Sequence, residues 1–329
     1  MRLTKTRILF FLIVNLLIIV GMLIFIGGSN LSLAVKATRK NWIFPLIFLL
    51  MLTVVFILRG LRWMIIIPKF TRILVLIRAL LAAWFINAVF PGKLGEVARV
   101  VISNREEKID TGTSIASLVT DRLLDLLTLV ILFAIFLFMI QREIVFAKLG
   151  LFYLIVTSIL ILGIICSMTL VLYKPDFLKK LVSRIFSPIK RLTSLSQRLI
   201  DSLHRGMKDI ITLKITSFLC AIILSIVIWL FESSSIYIFA HALEYDISLS
   251  VTIIAAIFGF LAMTLPVTPG GFGTYEATVA GLLIFLTDLS LDNALLLALI
   301  DHIFRQLYVV VIGGISLQTF EESFSIFNL

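Results

Sequence analysis

Long runs of apolar residues, three of them interrupted by a few charged residues, dominate this chain of 329 residues. Six runs are long enough for a membrane-spanning helix, which needs about 20 residues to cross a hydrocarbon core about 30 Å thick. Continuous runs favour helices over the alternating strands of a membrane barrel. The six predicted spans cover residues 8–27, 41–58, 114–140, 149–173, 215–240 and 294–317.

Two further apolar stretches are too short or too broken to span a membrane. Residues 79–92 are uncharged, but 14 residues of helix reach only about 21 Å. Residues 247–275 end in prolines and glycines, and a short helix over 277–287 is predicted to follow. We therefore predict an all-α polytopic membrane protein with about six full spans and two re-entrant helical hairpins.

The composition supports this class of protein. The chain is 60% hydrophobic and 15% charged, whereas soluble chains average about 45–50% and about 25%. This excludes an ordinary soluble enzyme, because too little polar surface is present to cover the apolar side chains. Lys and Arg exceed Asp and Glu by ten, which in a membrane protein indicates cytoplasmic loops and anionic headgroups, with no nucleic acid as partner.

A basic linker divides the single transmembrane domain (1–329) at residues 174–214. Its apolar residues recur every three or four positions, which predicts one or two amphipathic helices on the membrane surface, broken at Pro188. Loops rich in Lys and Arg remain in the cytoplasm. We therefore expect both termini and the loop 104–110 to be cytoplasmic, the acidic turn 244–246 to be external, and the protein to lie in the plasma membrane.

The pattern Pro-Gly-x-x-Gly occurs twice, at residues 91–95 and 269–273, each time after a short apolar helix. An aspartate follows the last glycine by 26 residues in the first copy (Asp121) and by 28 in the second (Asp301). Three predicted spans separate the copies, so the second is expected to be inverted relative to the first. This pattern predicts inverted repeats over residues 42–140 and 215–317, an architecture of many transporters.

The repeated motif has the chemistry of an anion site. Proline ends the incoming helix, glycine permits a left-handed backbone, and the next helix begins inside the protein with free N–H groups. Such a helix start binds phosphate or carboxylate, and Lys93 would reinforce it in the first copy. The alternative is that proline and glycine only allow tight helix packing; the occurrence of two matched motifs favours the site.

Charged residues near the motifs complete the candidate site, because a charge inside a span normally has a partner. Asp121 is expected to pair with Arg122 or Arg99, and Asp301 with Arg305. This leaves Asp125 as the carboxylate most available for function, although structural ion pairs explain these charges equally well. The candidate substrate-binding residues are Pro91, Gly92, Lys93, Gly95, Glu96, Arg99, Asp121, Arg122, Asp125, Pro269, Gly270, Gly271, Gly273, Glu276, Asp301 and Arg305.

Other polar residues admit two interpretations each. Glu96 and Glu276 either compensate a helix dipole or act as gating or proton-coupling carboxylates. Glu232 either bonds to the three serines that follow it or lines a wet cavity, and His302 is either a proton carrier or a packing residue. A basic cluster at the end of the second span either marks topology or captures an anionic headgroup; its members are Arg59, Arg62, Arg72 and Arg78.

These motifs resemble those of a known family. Asn87-x-x-Phe90-Pro91-Gly92-x-x-Gly95-Glu96-x-x-Arg99, then Asp121-Arg122-x-x-Asp125, is similar to the first signature of the lysylphosphatidylglycerol synthase transmembrane (flippase-like) family. Leu265-Pro266-x-x-Pro269-Gly270-Gly271-x-Gly273-x-x-Glu276, with the later Arg305, resembles the second. The resemblance implies a lipid flippase module like the N-terminal half of bacterial multiple-peptide-resistance proteins, which carry aminoacylated phosphatidylglycerol between leaflets. No soluble aminoacyl-transferase domain follows, so synthesis of that lipid is not expected.

The leading functional hypothesis is therefore a transporter of an anionic or aminoacylated phospholipid, or of a polyprenyl-phosphate-linked lipid. The alternative is a membrane-embedded transferase with Asp125, Glu96 or Glu276 as base, although the chain lacks the common hydrolase and phosphate-loop motifs. A third hypothesis is a subunit that presents lipids to a separate synthase. No cofactor or metal is expected; the expected partners are anionic membrane lipids and either a second copy or a separate lipid-modifying enzyme.

Overall fold

The fold is described from a computed structural model that covers residues 5–69, 71–90, 92–139, 151–185, 190–212, 214–264 and 268–320. All long elements of regular structure in these ranges are α-helices. In chain order they are α1 (Lys5–Ile26), α2 (Gly28–Lys40), α3 (Ile43–Ile66), α4 (Ile73–Val89), α5 (Leu94–Glu107), α6 (Thr111–Met139), α7 (Leu151–Tyr173), α8 (Pro175–Ile185), α9 (Lys190–Ile211), α10 (Ile215–Ser233), α11 (Ser235–Ala242), α12 (Leu249–Thr264), α13 (Thr274–Leu286) and α14 (Leu291–Gln318).

Several helices are long and apolar enough to cross a membrane. Among the described residues these are α3, α6, the pair α10–α11 and α14, and a bent pair within α1 and α2 is a fifth candidate. Helix α7 spans 23 residues and coincides with another predicted run. The all-α polytopic class is thereby confirmed, while the count of six spans stays a prediction.

Two helical hairpins lie where the sequence predicts re-entrant elements. Helices α4 and α5 contain 17 and 14 residues, and helices α12 and α13 contain 16 and 13. At about 1.5 Å per residue, each helix is shorter than a hydrocarbon core about 30 Å thick. In each hairpin the two helices pack against each other and meet at a glycine-containing loop.

The two halves of the chain are interlocked around a common core. Helix α14 lies along α4, and α10 lies along α3, so that each half packs against the other. Helix α12 is apolar on all sides, which is typical of a fully buried helix, and its residues Ile253 to Ile257 are at most 1% exposed. This packing places the second glycine loop against α4, the helix that leads into the first.

The second predicted span is longer than the charge pattern indicated. We expected it to end at Arg59 and Arg62, but α3 continues to Ile66, and both arginines are buried within it. Only Arg72 and Arg78 of the predicted basic cluster are exposed. The cluster is therefore not a surface patch, and the reason is that Arg59 and Arg62 have carboxylate partners inside the bundle.

The basic linker forms the two predicted amphipathic helices, α8 and α9. The predicted break at Pro188 lies outside the described residues. Helix α9 packs on the first turns of α6, where a Cβ added to Gly206 would lie 2.3 Å from the carbonyl carbon of Gly112. The linker thus contacts the backbone of the helix that carries Asp121, Arg122 and Asp125.

We expect Gly206→Ala to separate α9 from α6, because neither backbone can accommodate the added methyl group, at a cost of about 1–3 kcal/mol. Limited trypsin digestion of the linker should become faster than in the unsubstituted protein. Gly163→Ala is the control, since no atom lies within 4 Å of its added Cβ. Equal digestion rates for both variants would contradict this packing.

Contacts between distant loops agree with the predicted sidedness of the chain. Lys40 donates to the Glu244 carboxylate at 2.6 Å, and this bond, with a second from Asn41, holds the pKa of Glu244 below its ordinary value. Ser202 of the linker lies against Asp110 at the start of α6. The turn 244–246, which is predicted to be external, thus meets the end of α2, and the linker meets the loop 104–110, both of which are predicted to be cytoplasmic; the orientation in the membrane stays a prediction.

Candidate functional site

The first glycine loop joins α4 to α5 through a left-handed backbone. Gly92 and Lys93 have φ values of +83° and +54°, and α5 begins at Leu94. The N–H of Gly95 donates to Asn87 Oδ1 at 2.7 Å. A Cβ on Gly95 would lie 1.9 Å from the Ala83 carbonyl oxygen, so glycine is required here for close approach of the two helices. Pro91 lies outside the described residues.

The second glycine loop also reverses the chain inside the bundle. Pro269–Gly271 forms a short 3₁₀ turn, and Gly270, Gly271 and Gly273 all have positive φ. Helix α13 then begins at Thr274, and Glu276 Oε2 accepts a hydrogen bond from the Gly273 N–H at 2.7 Å. The loop ends one helix and starts another within the protein, as the motif predicts.

The expectation that these helix starts bind an anion through free amides needs correction. At the start of α5 the Gly95 N–H already donates to Asn87, and at the start of α13 the Gly273 N–H already donates to Glu276. Glu276 therefore fills part of the position that an anion would occupy at α13. These two N–H groups are therefore not free for a ligand, and binding of an anion at either helix start stays a prediction.

A buried cluster of ion pairs surrounds Asp121 and Asp125 on α6. Arg62 lies between them, with Nε 2.9 Å from Asp121 Oδ1 and Nη1 2.7 Å from Asp125 Oδ1. Arg99 Nη2 lies 2.8 Å from Asp121 Oδ2, and its guanidinium lies 3.8 Å from the centre of the Trp63 ring. Of the two predicted partners of Asp121, Arg99 is confirmed.

Arg122 has other partners than the sequence predicted. Its Nη2 lies 2.8 Å from Glu96 Oε1 and its Nη1 3.2 Å from Asp125 Oδ2. Asp125 also accepts hydrogen bonds from Arg62 and from the indole N–H of Trp229, both at less than 3 Å. The prediction that Asp125 is the least engaged carboxylate is therefore wrong, because three helices supply it with donors.

A second cluster lies around Arg305 on α14. Its Nη1 lies 3.2 Å from Glu232 Oε1, and its Nη2 lies 3.6 Å from Asp301 Oδ1. Asp301 also accepts from the Tyr275 hydroxyl at 2.6 Å. The predicted pairing of Asp301 with Arg305 is confirmed. Glu232 bonds to arginines, not to the three serines that follow it.

Arg59 connects the two clusters. Its Nη2 donates to Glu232 Oε2, its Nη1 lies 3.9 Å from Asp125 Oδ2, and its guanidinium lies 5.3 Å from the ring centres of both Trp84 and Trp229. The result is one network of five arginines and five carboxylates. Its members are Arg59, Arg62, Arg99, Arg122 and Arg305 with Glu96, Asp121, Asp125, Glu232 and Asp301.

His302 and Glu276 form a separate buried pair behind the second glycine loop. His302 Nδ1 lies 2.6 Å from Glu276 Oε1, and neither side chain has solvent exposure. His302 Nε2 lies 3.1 Å from the carbonyl oxygen of Gly270 and 2.9 Å from Gln306 Nε2. The pair connects α13, α14 and the loop.

A cavity of about 410 Å³ lies where the two glycine loops and the charge network meet. Gly92, Lys93, Glu96 and Arg122 line it from the first half of the chain, and Gly270, Gly271, Arg305 and Gln306 line it from the second. Gly92 and Lys93 are exposed, and the Arg122 side chain is 39% exposed. The cavity therefore opens beside the first loop. Its apolar wall includes Leu118, Leu126, Leu129, Phe260, Leu261, Met263 and Val309.

Sequence analysis missed several residues that the fold brings to this site. We expected other roles for Arg59 and Glu232. No recognised motif contains Trp84, Trp229 or Gln306. One signal was available for the arginines, since the sequence stays apolar after Arg62 as far as Ile67. A charge within a continuing apolar helix is expected to face the bundle interior.

Apolar helices around a buried charge network define an all-α polytopic membrane protein. The chain belongs to the family described as the lysylphosphatidylglycerol synthase TM region, whose model matches residues 12–314. This confirms the resemblance seen in the glycine motifs and places the protein among membrane domains related to lipids.

Two proteins from other organisms are similar to this chain over most of their length. A UPF0104 membrane protein of Methanothermobacter thermautotrophicus is 27% identical over 320 residues, which cover 93% of this chain and 91% of that protein. A protein of Methanocaldococcus jannaschii, also described as a UPF0104 membrane protein, is 26% identical over 330 residues, covering 96% and 95%. No solved structure matches the chain.

Proposed function

We propose that the protein is a lipid transporter that moves an anionic phospholipid, or a lipid linked through phosphate, between the two leaflets of the plasma membrane. The observation that carries this proposal is the cavity shared by both glycine loops. Charged side chains such as Lys93 and Arg122 line it together with apolar ones such as Leu126 and Phe260, which suits a molecule with a polar headgroup and an acyl chain. A volume of about 410 Å³ falls within the range of about 300–1,000 Å³ typical of small-molecule sites.

The charge of the cavity favours an anionic headgroup. The arginines in its wall are matched by carboxylates of the network. Among the residues that the structure describes, Lys93 is the cavity-lining cation with no carboxylate within 4 Å of its Nζ. Its charge is therefore available to a ligand, and a charge-assisted hydrogen bond to a phosphate contributes about 1.5–3 kcal/mol.

The proposed movement uses the inverted arrangement of the two halves. The headgroup would pass through the cavity between the hairpin of α4 and α5 and the hairpin of α12 and α13, while the acyl chains remain in the bilayer. Such rocking of one repeat against the other around a central site is the general scheme of transporters with inverted repeats. The residues that link the halves, above all Arg59, would change partners during this movement.

The transferase alternative is less well supported by the geometry. A general base needs a carboxylate that is free to take a proton from the substrate. Asp125 accepts hydrogen bonds from Arg62 and Trp229. Glu96 accepts a hydrogen bond from Arg122. Glu276 is hydrogen-bonded to Gly273 and His302. All three proposed bases are thus occupied, which favours transport.

Lys93 offers a matched test of this function. We expect Lys93→Gln to weaken binding of short-chain phosphatidylglycerol about tenfold or more, since about 1.4 kcal/mol corresponds to a factor of ten. Binding can be followed by the fluorescence of Trp84 and Trp229, which line the cavity. Transfer of labelled phosphatidylglycerol across reconstituted vesicles should fall in parallel.

Lys108→Gln is the control for Lys93→Gln. Both lysines flank α5 and both have a left-handed backbone, with φ of 54° and 53°, but Lys108 does not line the cavity. Its substitution should leave binding and transfer unchanged. Equal transfer by the unsubstituted protein and Lys93→Gln, or equal transfer of phosphatidylglycerol and phosphatidylcholine, would count against the proposal.

A further inference from the structure

The buried histidine behind the second glycine loop has two alternative hydrogen-bonding patterns. Its Nδ1 faces Glu276, as described above, and its Nε2 faces both the Gly270 carbonyl oxygen and the Gln306 amide. Gln306 Nε2 also donates to the Gly270 oxygen at 2.9 Å. Two groups, the Gly270 oxygen and the Gln306 amide, therefore face the same ring nitrogen and also contact each other.

The direction of these bonds depends on the charge of the ring. An amide N–H can only donate, so the contact with Gln306 requires a neutral ring with a free lone pair on Nε2 and its proton on Nδ1. When a proton is added, Nε2–H becomes a donor to the Gly270 oxygen and can no longer accept from Gln306. One proton thus changes which group holds the loop.

Among the residues that the structure describes, Glu276 is the carboxylate in contact with the ring. On α13, Glu276 hydrogen-bonds directly to His302, and the Tyr275 hydroxyl donates a hydrogen bond to Asp301. On α14, Asp301 is adjacent in sequence but is bound by Tyr275 and near Arg305. Helix α12 carries no ionisable residue over Leu249–Thr264, and Phe272 stacks on the imidazole ring with centroids 4.4 Å apart. Glu276 is therefore the group that stabilises an imidazolium at this position.

The switch between the two patterns reaches the cavity directly. Gly270 and Gln306 both line it, so protonation at Nε2 alters the hydrogen bonds of the wall and adds a positive charge next to it. Because coupling is reciprocal, a proton that strengthens binding of an anion is itself bound more tightly when the anion is present.

We propose that His302 and Glu276 form the binding site of a coupling proton, so that uptake of one proton accompanies binding of the anionic headgroup. This inference rests on the proposed function. The proton binds at His302 Nε2, remains on the imidazolium while the headgroup occupies the cavity, and is released when the cavity opens to the other face. The ion that drives transport is then H⁺, and its direction of flow sets the direction of lipid movement.

The test is the pH dependence of phosphatidylglycerol binding between about pH 5.5 and 8, within the range where histidine changes charge in proteins. Dihexanoyl phosphatidylglycerol is a suitable probe, because its phosphodiester keeps the same charge over this range. We expect the affinity of the unsubstituted protein to rise as the pH falls, by up to about tenfold per pH unit, the limit for one proton. A pH indicator in weak buffer should record up to one proton taken up per lipid bound.

Two variants and one control identify the responsible group. His302→Gln keeps a polar side chain but does not titrate, and should bind with the same affinity at every pH. Glu276→Gln keeps an oxygen for the Gly273 N–H but removes the charge that favours the imidazolium. At every pH this variant should bind as weakly as the unsubstituted protein does at pH 8. His241→Gln alters an exposed histidine and should behave like the unsubstituted protein.

The outcomes separate this inference from the proposed function. If the affinity of the unsubstituted protein for phosphatidylglycerol does not change with pH, the inference alone is overturned. The same holds if the affinity of His302→Gln keeps the full pH dependence. Should that variant fail to fold, proton uptake by the unsubstituted protein decides, and its absence overturns the inference. Absence of binding at every pH overturns the proposed function and the inference together.

Discussion

Replacing Arg62 by methionine is expected to destabilise the protein by about 3–5 kcal/mol, the usual cost of removing one partner from a buried ion pair. Arg62 has no solvent exposure and serves both Asp121 and Asp125. Its loss leaves two buried carboxylates on adjacent turns of α6 with one fewer cation. Thermal unfolding in detergent, followed by tryptophan fluorescence, should show a clear decrease in midpoint temperature, and lipid transfer should be lost.

Two further variants make the Arg62 prediction specific. Arg62→Met combined with Asp125→Asn returns the network to equal numbers of cations and carboxylates, so the double variant should be more stable than Arg62→Met alone. Arg78→Met is the control, because Arg78 is exposed on α4. If Arg62→Met unfolds at the same temperature as Arg78→Met, the network does not contribute to stability as described.

Gly95→Ala is expected to have the second large effect, on both stability and transport. The new methyl group would lie 1.9 Å from the Ala83 carbonyl oxygen and 2.7 Å from Asn87 Oδ1. The Ala83 carbonyl belongs to the backbone of α4 and cannot move without separating α4 from α5. The Asn87 side chain can rotate away, which breaks its bond to the Gly95 N–H, and the cavity wall shifts. Overpacking of this kind costs about 1–3 kcal/mol or more, and we expect lipid transfer to fall by at least about tenfold.

Gly281→Ala provides the comparison for Gly95→Ala. Gly281 lies in α13, exposed and with no atom within 4 Å of an added Cβ. Alanine is favoured over glycine in a helix by about 1 kcal/mol, so this variant should unfold at the same temperature or slightly higher. Normal transfer by Gly95→Ala would show that the close approach of α4 and α5 is not needed for function.

The local elements were predictable because they depend on neighbouring residues. Apolar runs set the helices, and the glycine motifs set the left-handed turns that begin α5 and α13. The pair of Asp301 and Arg305 was also predictable, since residues four apart share a helix face. The amphipathic linker helices α8 and α9 followed from the spacing of their apolar residues.

The charge network was only partly predictable, because its bonds join distant parts of the chain. Arg59 and Glu232 are 173 positions apart, and no local pattern pairs them. The sequence instead suggests a basic cluster at the end of the second span and a glutamate that either bonds to serines or lines a wet cavity. For the same reason, the sequence predicts Asp125 as the carboxylate most available for function, although Arg62 and Trp229 reach it from other helices.

The sequence by itself determined that this is a helical membrane protein of a lipid-related family, with two glycine loops and charges near them. These features follow from composition, periodicity and motif spacing, which are properties of short segments. Only the tertiary structure decided that five arginines and five carboxylates balance one another, and that Lys93 is the cavity cation without a carboxylate partner within 4 Å in the described part of the chain. Buried charges select partners by proximity in space, and proximity is fixed only when the helices pack.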